Sequence, residues 1–373
     1  MAKNLLQQHF PMIRVRQEVE ERIYHNRKLC AIFEAWTAEQ RKEFLDFCSG
    51  EKGVKILYDC FFKEIFNPEY APERLEEFLS LIMKQKVRIL QVIPNDSTRI
   101  ADESSLLVTD IVVELADHSI ANVEIQKIGY MFPGQRSACY SADLLLRQYK
   151  RVRSKVNKFS YKYIKNTYTI ILFERSTREF HDFPGEYLHS FEQKSDTGLE
   201  LNLLQKYYFV PLDIFRKNIH NKSTKTKLDA WLIFLTSDTP EMILELIEEF
   251  PEFKCMYEDI YELCRNIEGV MQMFSKELLE LDRNTVQYMI DTMQDEIDAS
   301  KKKLDEQKKQ LSDQEKQLAE QEQQISESRM QLEMQERERK LYALLSSNGR
   351  LEELGRAVND EGYREQLFTE YQL

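Results

Sequence analysis

Asp110 and Glu124 are the residues whose types and spacing could do chemistry. Asp110 stands inside SLLVTDIVVEL (105–115), a β-branched, alternating run that predicts a strand. An ionised carboxylate there is costly unless it is paired or bound to a metal. A second alternating run, SIANVEIQ (119–126), follows the turn-like Ala116-Asp117-His118, so the two runs read as a hairpin. Side chains alternate along a strand, which puts Glu124 and Gln126 on one face and Ile125 on the other. If the hairpin closes at 116–118, Asp110 comes near Glu124. Two carboxylates, one backbone carbonyl and bound water form a hard-oxygen site suited to Mg2+ or Mn2+. Such an ion activates water and stabilises charge on a phosphate under in-line attack. Acids on exposed strand faces are also common, and a plain solvated pair is the alternative.

A second clue lies downstream. Between Leu144 and Phe173 there is no acidic residue, in a chain with 64 of them. The same stretch carries Arg147, Lys150, Arg151, Arg153, Lys155, Lys158, Lys162 and Lys165, interleaved with Tyr149, Phe159, Tyr161 and Tyr163. The stretch is therefore +8, and with a net charge of −12 the rest of the chain is −20. Such a segment in an acidic protein predicts contact with a phosphate backbone and some stacking on bases. The alternative is a helix end that is basic by chance.

These residues need elements to position them. A helix is expected from about Gln135 to Arg151, and further strands at Tyr168–Phe173 and Tyr207–Pro211. Residues 1–95 read as helical, with Pro72 suited to a helix start. Helical residues return from about Thr224. Helices flanking a small sheet imply an α/β core within residues 45–290, preceded by an N-terminal helical arm, 1–44. Ten glycines make under 3% of the chain, against a norm of about 7%, which disfavours glycine-rich phosphate-binding folds.

The last third differs in composition. Ile290, Ile297, Leu304, Leu311, Leu318, Ile325 and Leu332 recur every seventh residue without a slip. The companion positions are Met293, Ser300, Gln307, Gln314, Gln321, Ser328 and Gln335. This is half of a heptad seam, predicting a coiled coil over 291–341, a polar helix of about 75 Å at 1.5 Å per residue that pairs weakly, as a homodimer. The alternative is a solvated single helix held by i,i+4 charge pairs. A small helical unit, 342–373, follows.

Several classes drop out. No apolar run nears the length of a spanning helix and the N-terminus lacks a signal-peptide core, so no membrane partner and a cytoplasmic location are expected. The six cysteines form no CxxC pair and read as reduced thiols. No HxH, HExxH, GxSxG or P-loop occurs.

The run Asp110-(x13)-Glu124-Ile125-Gln126 resembles the PD-(D/E)XK nuclease superfamily. The wider text resembles more closely the recombination-promoting nucleases, also called PD-(D/E)XK nuclease family transposases. The similar stretches are FFKEIFNPEYAPERLEEFL (61–79), LLVTDIVVEL (106–115), NVEIQ (122–126), the R-x3-Y helix with Arg136, Tyr140 and Gln148, and LDAWLIFL (228–235). The resemblance implies a restriction-endonuclease-like core and a metal-dependent DNA endonuclease, with recombination or mobile-element biology as its setting. It implies Asp110, Glu124 and the Ile125 carbonyl as metal ligands, and Gln126 where the superfamily usually has a lysine. Lys127 cannot stand in, because it falls on the opposite strand face. Glu64 is a candidate additional acid. Arg136 could grip a phosphate, or else pair with Asp143 or a sheet carboxylate to fix its helix; Tyr140 reads as packing. Two rivals stay open: an inactive relative that binds DNA, and an assembly protein whose coiled coil is the working part.

Overall fold

The hairpin forms, and it lies in the middle of a mixed sheet. The computed structural model describes residues 4–93, 111–127, 133–221 and 225–373. Its strands are β1 (Ile89–Val92), β2 (Ile111–Leu115), β3 (Ile120–Gln126), β4 (Thr167–Phe173), β5 (His189–Phe191) and β6 (Gln205–Pro211), in the order β1-β2-β3-β4-β6-β5. The pairs β1–β2, β2–β3 and β5–β6 are antiparallel, whereas β3–β4 and β4–β6 are parallel. The turn closes where the residues predict. Asp117 accepts the Ser119 amide at 3.0 Å, and His118 takes a left-handed φ of 67°.

Two strands depart from expectation. β1 lies inside the stretch that reads as helical, and β5 carries no strand signal of its own. Both are too short, four and three residues, for alternation to show, and both sit at sheet edges where pairing rather than pattern selects them.

The parallel β3–β4 step is bridged by α7, the seventh helix in chain order (Pro133–Lys155), which packs on one sheet face. The earlier helices are α1 (Leu5–His9), α2 (Arg16–His25), α3 (Arg27–Ala35), α4 (Ala38–Ser49), α5 (Asp59–Ile65) and α6 (Pro72–Met83). After α8 (Arg178–His181) and α9 (Leu212–Asn218) come α10 (Lys227–Thr236), α11 (Pro240–Glu249), α12 (Phe253–Cys264) and α13 (Ile267–Ser347). Pro72 begins α6, where its missing N–H loses no hydrogen bond.

The other sheet face enters the main core. Ile111, Val113, Ala121, Val123, Ile125, Ile170 and Leu172 meet Phe62, Phe78, Leu232 and Phe234 there. The N-terminal helices contribute to this core as well. Leu6, Phe10, Val19, Ile23, Phe33 and Trp36 belong to this same core, and the Phe10 ring lies 5.1 Å from that of Tyr261. Their apolar faces are too large to leave in water.

The chain divides into two units, Met1–Thr292 and Met293–Leu373. In the second, α13 runs on past position 341 to Ser347, and Gly349 breaks the chain at φ 73°. Leu341 and Leu345 then pack with Ala357 of α14 (Leu351–Asn359) and with Leu367 and Phe368 of α15 (Glu361–Tyr371). The seven-spaced residues from Ile297 to Leu332 are 48% to 66% exposed.

Candidate active site

Strand alternation and the β3–β4 register set the site. Asn122, Glu124 and Gln126 face α7, alongside Thr167 and Thr169 of β4, and all five are buried. Asp110 lies outside the described residues. The described part of β2 starts at Ile111, opposite Val123 and so next to Glu124 along the ladder.

Polar atoms gather between this face and α7. Among the described residues the Gln126 and Gln148 side-chain nitrogens, the Asn122 amide and the Thr167 and Thr169 hydroxyls have no hydrogen-bond partner. Gln148 accepts the Lys165 amide at 2.7 Å, and Gln205 donates to the Ser141 hydroxyl at 3.1 Å. The same face also carries two small apolar clusters, one of Val112, Ile120 and Leu144 and one of Ile171, Phe173, Phe180, Phe209 and Ile214, so the buried polar atoms set Glu124 and Gln126 apart from their surroundings.

Tyr140 is the residue that sequence reasoning undervalued. The Glu124 and Arg136 charges both act on its hydroxyl. Burial first, and then the Glu124 charge, push its ionisation well above the ordinary tyrosine range, while Arg136 pulls the other way. The Arg136 guanidinium also sits 5.4 Å from the Tyr140 ring centre. The R-x3-Y spacing held this signal, because i and i+4 share a helix face.

The structure brings Glu124, Gln126, Tyr140 and Arg136 together; Ile125 turns into the core. It does not bring Glu64. That side chain is exposed and lines a groove with Tyr70, Arg74, Asp259 and Asn266. Lys127 turns away as expected: its ammonium pairs with the buried Glu277 and sits 5.7 Å from the Tyr58 ring centre.

The basic residues divide into two sets. Arg147 is paired within α7 with Asp143 at 2.6 Å, one helical turn away, whereas Arg151 pairs with Glu114 of β2 at 3.4 Å and ties α7 to the sheet. Arg136 stands over the Tyr140 ring. Lys150, Arg153, Lys155 and Lys158 are exposed. Nearby Tyr149, Phe159 and Tyr161 form a ring cluster, with Tyr149 and Tyr161 stacked at 6.3 Å. Glu114 is a buried acid that the sequence did not single out. Gln91 and His118 also bind it, and although burial opposes its charge, these bonds hold it below the usual carboxylate range.

Among the described residues no three His, Cys, Asp or Glu side chains cluster to hold a metal. The donors present are the Glu124 carboxylate, the Ile125 carbonyl and the Gln126 amide. They are hard oxygens, a set that fits Mg2+ or Mn2+ and not a soft metal. No helix among the described residues is long and apolar enough to cross a membrane. A sequence model of the family described as PD-(D/E)XK nuclease family transposase matches residues 56–294. No curated protein and no solved structure matches the chain.

Proposed function

The chain belongs to the PD-(D/E)XK nuclease family transposases, a nuclease-like family, and from that premise we propose that it is a metal-dependent DNA endonuclease. The observation that carries this is the buried Glu124 on a central strand, with Gln126 on its face and Tyr140 and Arg136 against it.

Glu124, Asp110 and the Ile125 carbonyl are the groups that would hold Mg2+ or Mn2+. The bound ion would supply an acidified water and neutralise charge on the phosphate. The remaining work falls to the chain. Tyr140 orients the Glu124 carboxylate, Arg136 holds a non-bridging phosphate oxygen, and Gln126 orients the attacking water by hydrogen bonding without adding charge. The exposed Lys150, Arg153, Lys155 and Lys158 bind the DNA backbone. Cutting both strands takes two active sites, and the exposed seven-residue row at 290–341 supplies a homodimer contact. This activity suits recombination or mobile-element chemistry in the cytoplasm.

Incubating supercoiled plasmid with Mg2+ tests the assignment. The parent should nick it, whereas Asp110→Ala and Glu124→Ala should each be slower by about a hundredfold or more. Folded variants that nick as fast as the parent would show that the site is elsewhere.

A further inference from the structure

Beside the candidate site lies a cleft of about 590 Å3, within the size range of small-molecule sites. Phe180, Phe183, Phe191, Tyr207 and Phe209 line it, with His189 among them. Its remaining wall is the first turns of α7, where Gln135 and Ala138 face the cleft and Arg136 and Tyr140 belong to the site. The sheet joins the two places as well. Phe173 pairs in register with Gln126, and its ring lies 5.0 Å from Phe180 and 5.7 Å from Phe209.

Two features of the cleft point to a ligand. Phe183 and Phe191 stay 59% and 50% exposed, large apolar faces turned to water at its mouth. The His189 Nε2 is buried and has no hydrogen-bond partner among the described residues, while its ring stands 5.4 Å from Phe180 and 5.9 Å from Phe183. A matching ligand has flat π faces for these rings and a polar edge for His189 and the Glu179 carboxylate. We propose that the cleft takes one unpaired nucleobase of the nucleic acid being cut, next to the phosphate held by Arg136.

This rests on the proposed nuclease reading and narrows the substrate to strands that are single or locally opened. A base stacked and paired within a duplex cannot place both faces between aromatic rings, so it must leave the helix first. Stacking tolerates any base, which fits a cleft with few polar groups.

The test is fluorescence anisotropy of the full chain in EDTA, so that binding is read without cleavage. The probes are a labelled single-stranded oligodeoxynucleotide of mixed bases and an abasic strand of equal length. The parent should bind the base-bearing strand about tenfold more tightly. Phe183→Ala combined with Phe191→Ala should erase that preference and leave abasic binding unchanged. Phe183→Tyr should keep the preference. Both phenylalanines are half exposed, and a thermal melt checks that the variants fold. Equal affinity of the parent for both strands, or equal loss on both strands in the variant, would overturn the cleft assignment. The nuclease reading fails separately: a parent that shows the base preference but never nicks with Mg2+ loses its proposed activity and keeps the cleft.

Discussion

The Tyr140 hydroxyl stands between a buried carboxylate and an exposed guanidinium, and its role is positioning. Tyr140→Phe keeps the ring that packs and removes only the oxygen. Nicking should fall by about tenfold, with a higher Mg2+ requirement, because a ligand that loses its orienting partner binds metal more weakly. A Mg2+ titration of the rate reads this, and an unchanged midpoint would assign Tyr140 to packing alone. Glu114 makes a contrasting prediction. Its folded ionisation is depressed, so the folded state binds fewer protons than the unfolded one. The stability it contributes is present above its ordinary value near 4.5 and is lost as pH falls through its lower folded value. Glu114→Gln should therefore cost about 1–2 kcal/mol at pH 7, and the difference from the parent should shrink in acid. Urea melts at pH 7 and below pH 4 measure it.

The element that matters most is α7. Its inner face lines the polar layer and its first turns bear Arg136 and Tyr140, while its last turns carry exposed cations. Arg151 is tied to Glu114, so the residues to reverse are Lys150, Arg153 and Lys155. Changing these three to Glu should weaken binding to all DNA sequences alike, since phosphate contacts carry no sequence information. The slope of log affinity against log salt should become shallower by about two to three units, near 0.9 for each phosphate no longer neutralised. Affinities across a salt series report this, and an unchanged slope would place the DNA on another face.

At the scale of the whole molecule the open matter is association. Seven apolar residues in strict seven-residue spacing satisfy a helix continuously only by supercoiling with a partner. In the single chain those from Ile297 to Leu332 stay about half exposed or more. The companion seam is mostly Gln and Ser, so apolar burial is about half that of an ordinary zipper. A dimer with a dissociation constant in the micromolar range, roughly −8 kcal/mol, is the expected result. Sedimentation of the full chain against a version ending at Asp291 distinguishes it from a lone solvated helix, which would leave the parent monomeric at tens of micromolar.

Local pattern determined much of this protein. Alternation placed β2 and β3, short strand-like runs placed β4 and β6, and alternation set Glu124 and Gln126 on one face with Ile125 and Lys127 on the other. The 3.6-residue period and Pro72 placed α6, and composition marked the tail. These are properties of short windows, so the residues carry them before any folding occurs. Only the tertiary structure paired Arg151 with Glu114, leaving the cations around it exposed. It also folded the helices α1 to α4 into the main core, set Tyr140 against Glu124, sent Glu64 to a different groove and built the aromatic cleft from α7, β5 and β6. Each of these depends on which surfaces meet across distant parts of the chain. Burial decides that globally, and no window of sequence contains it.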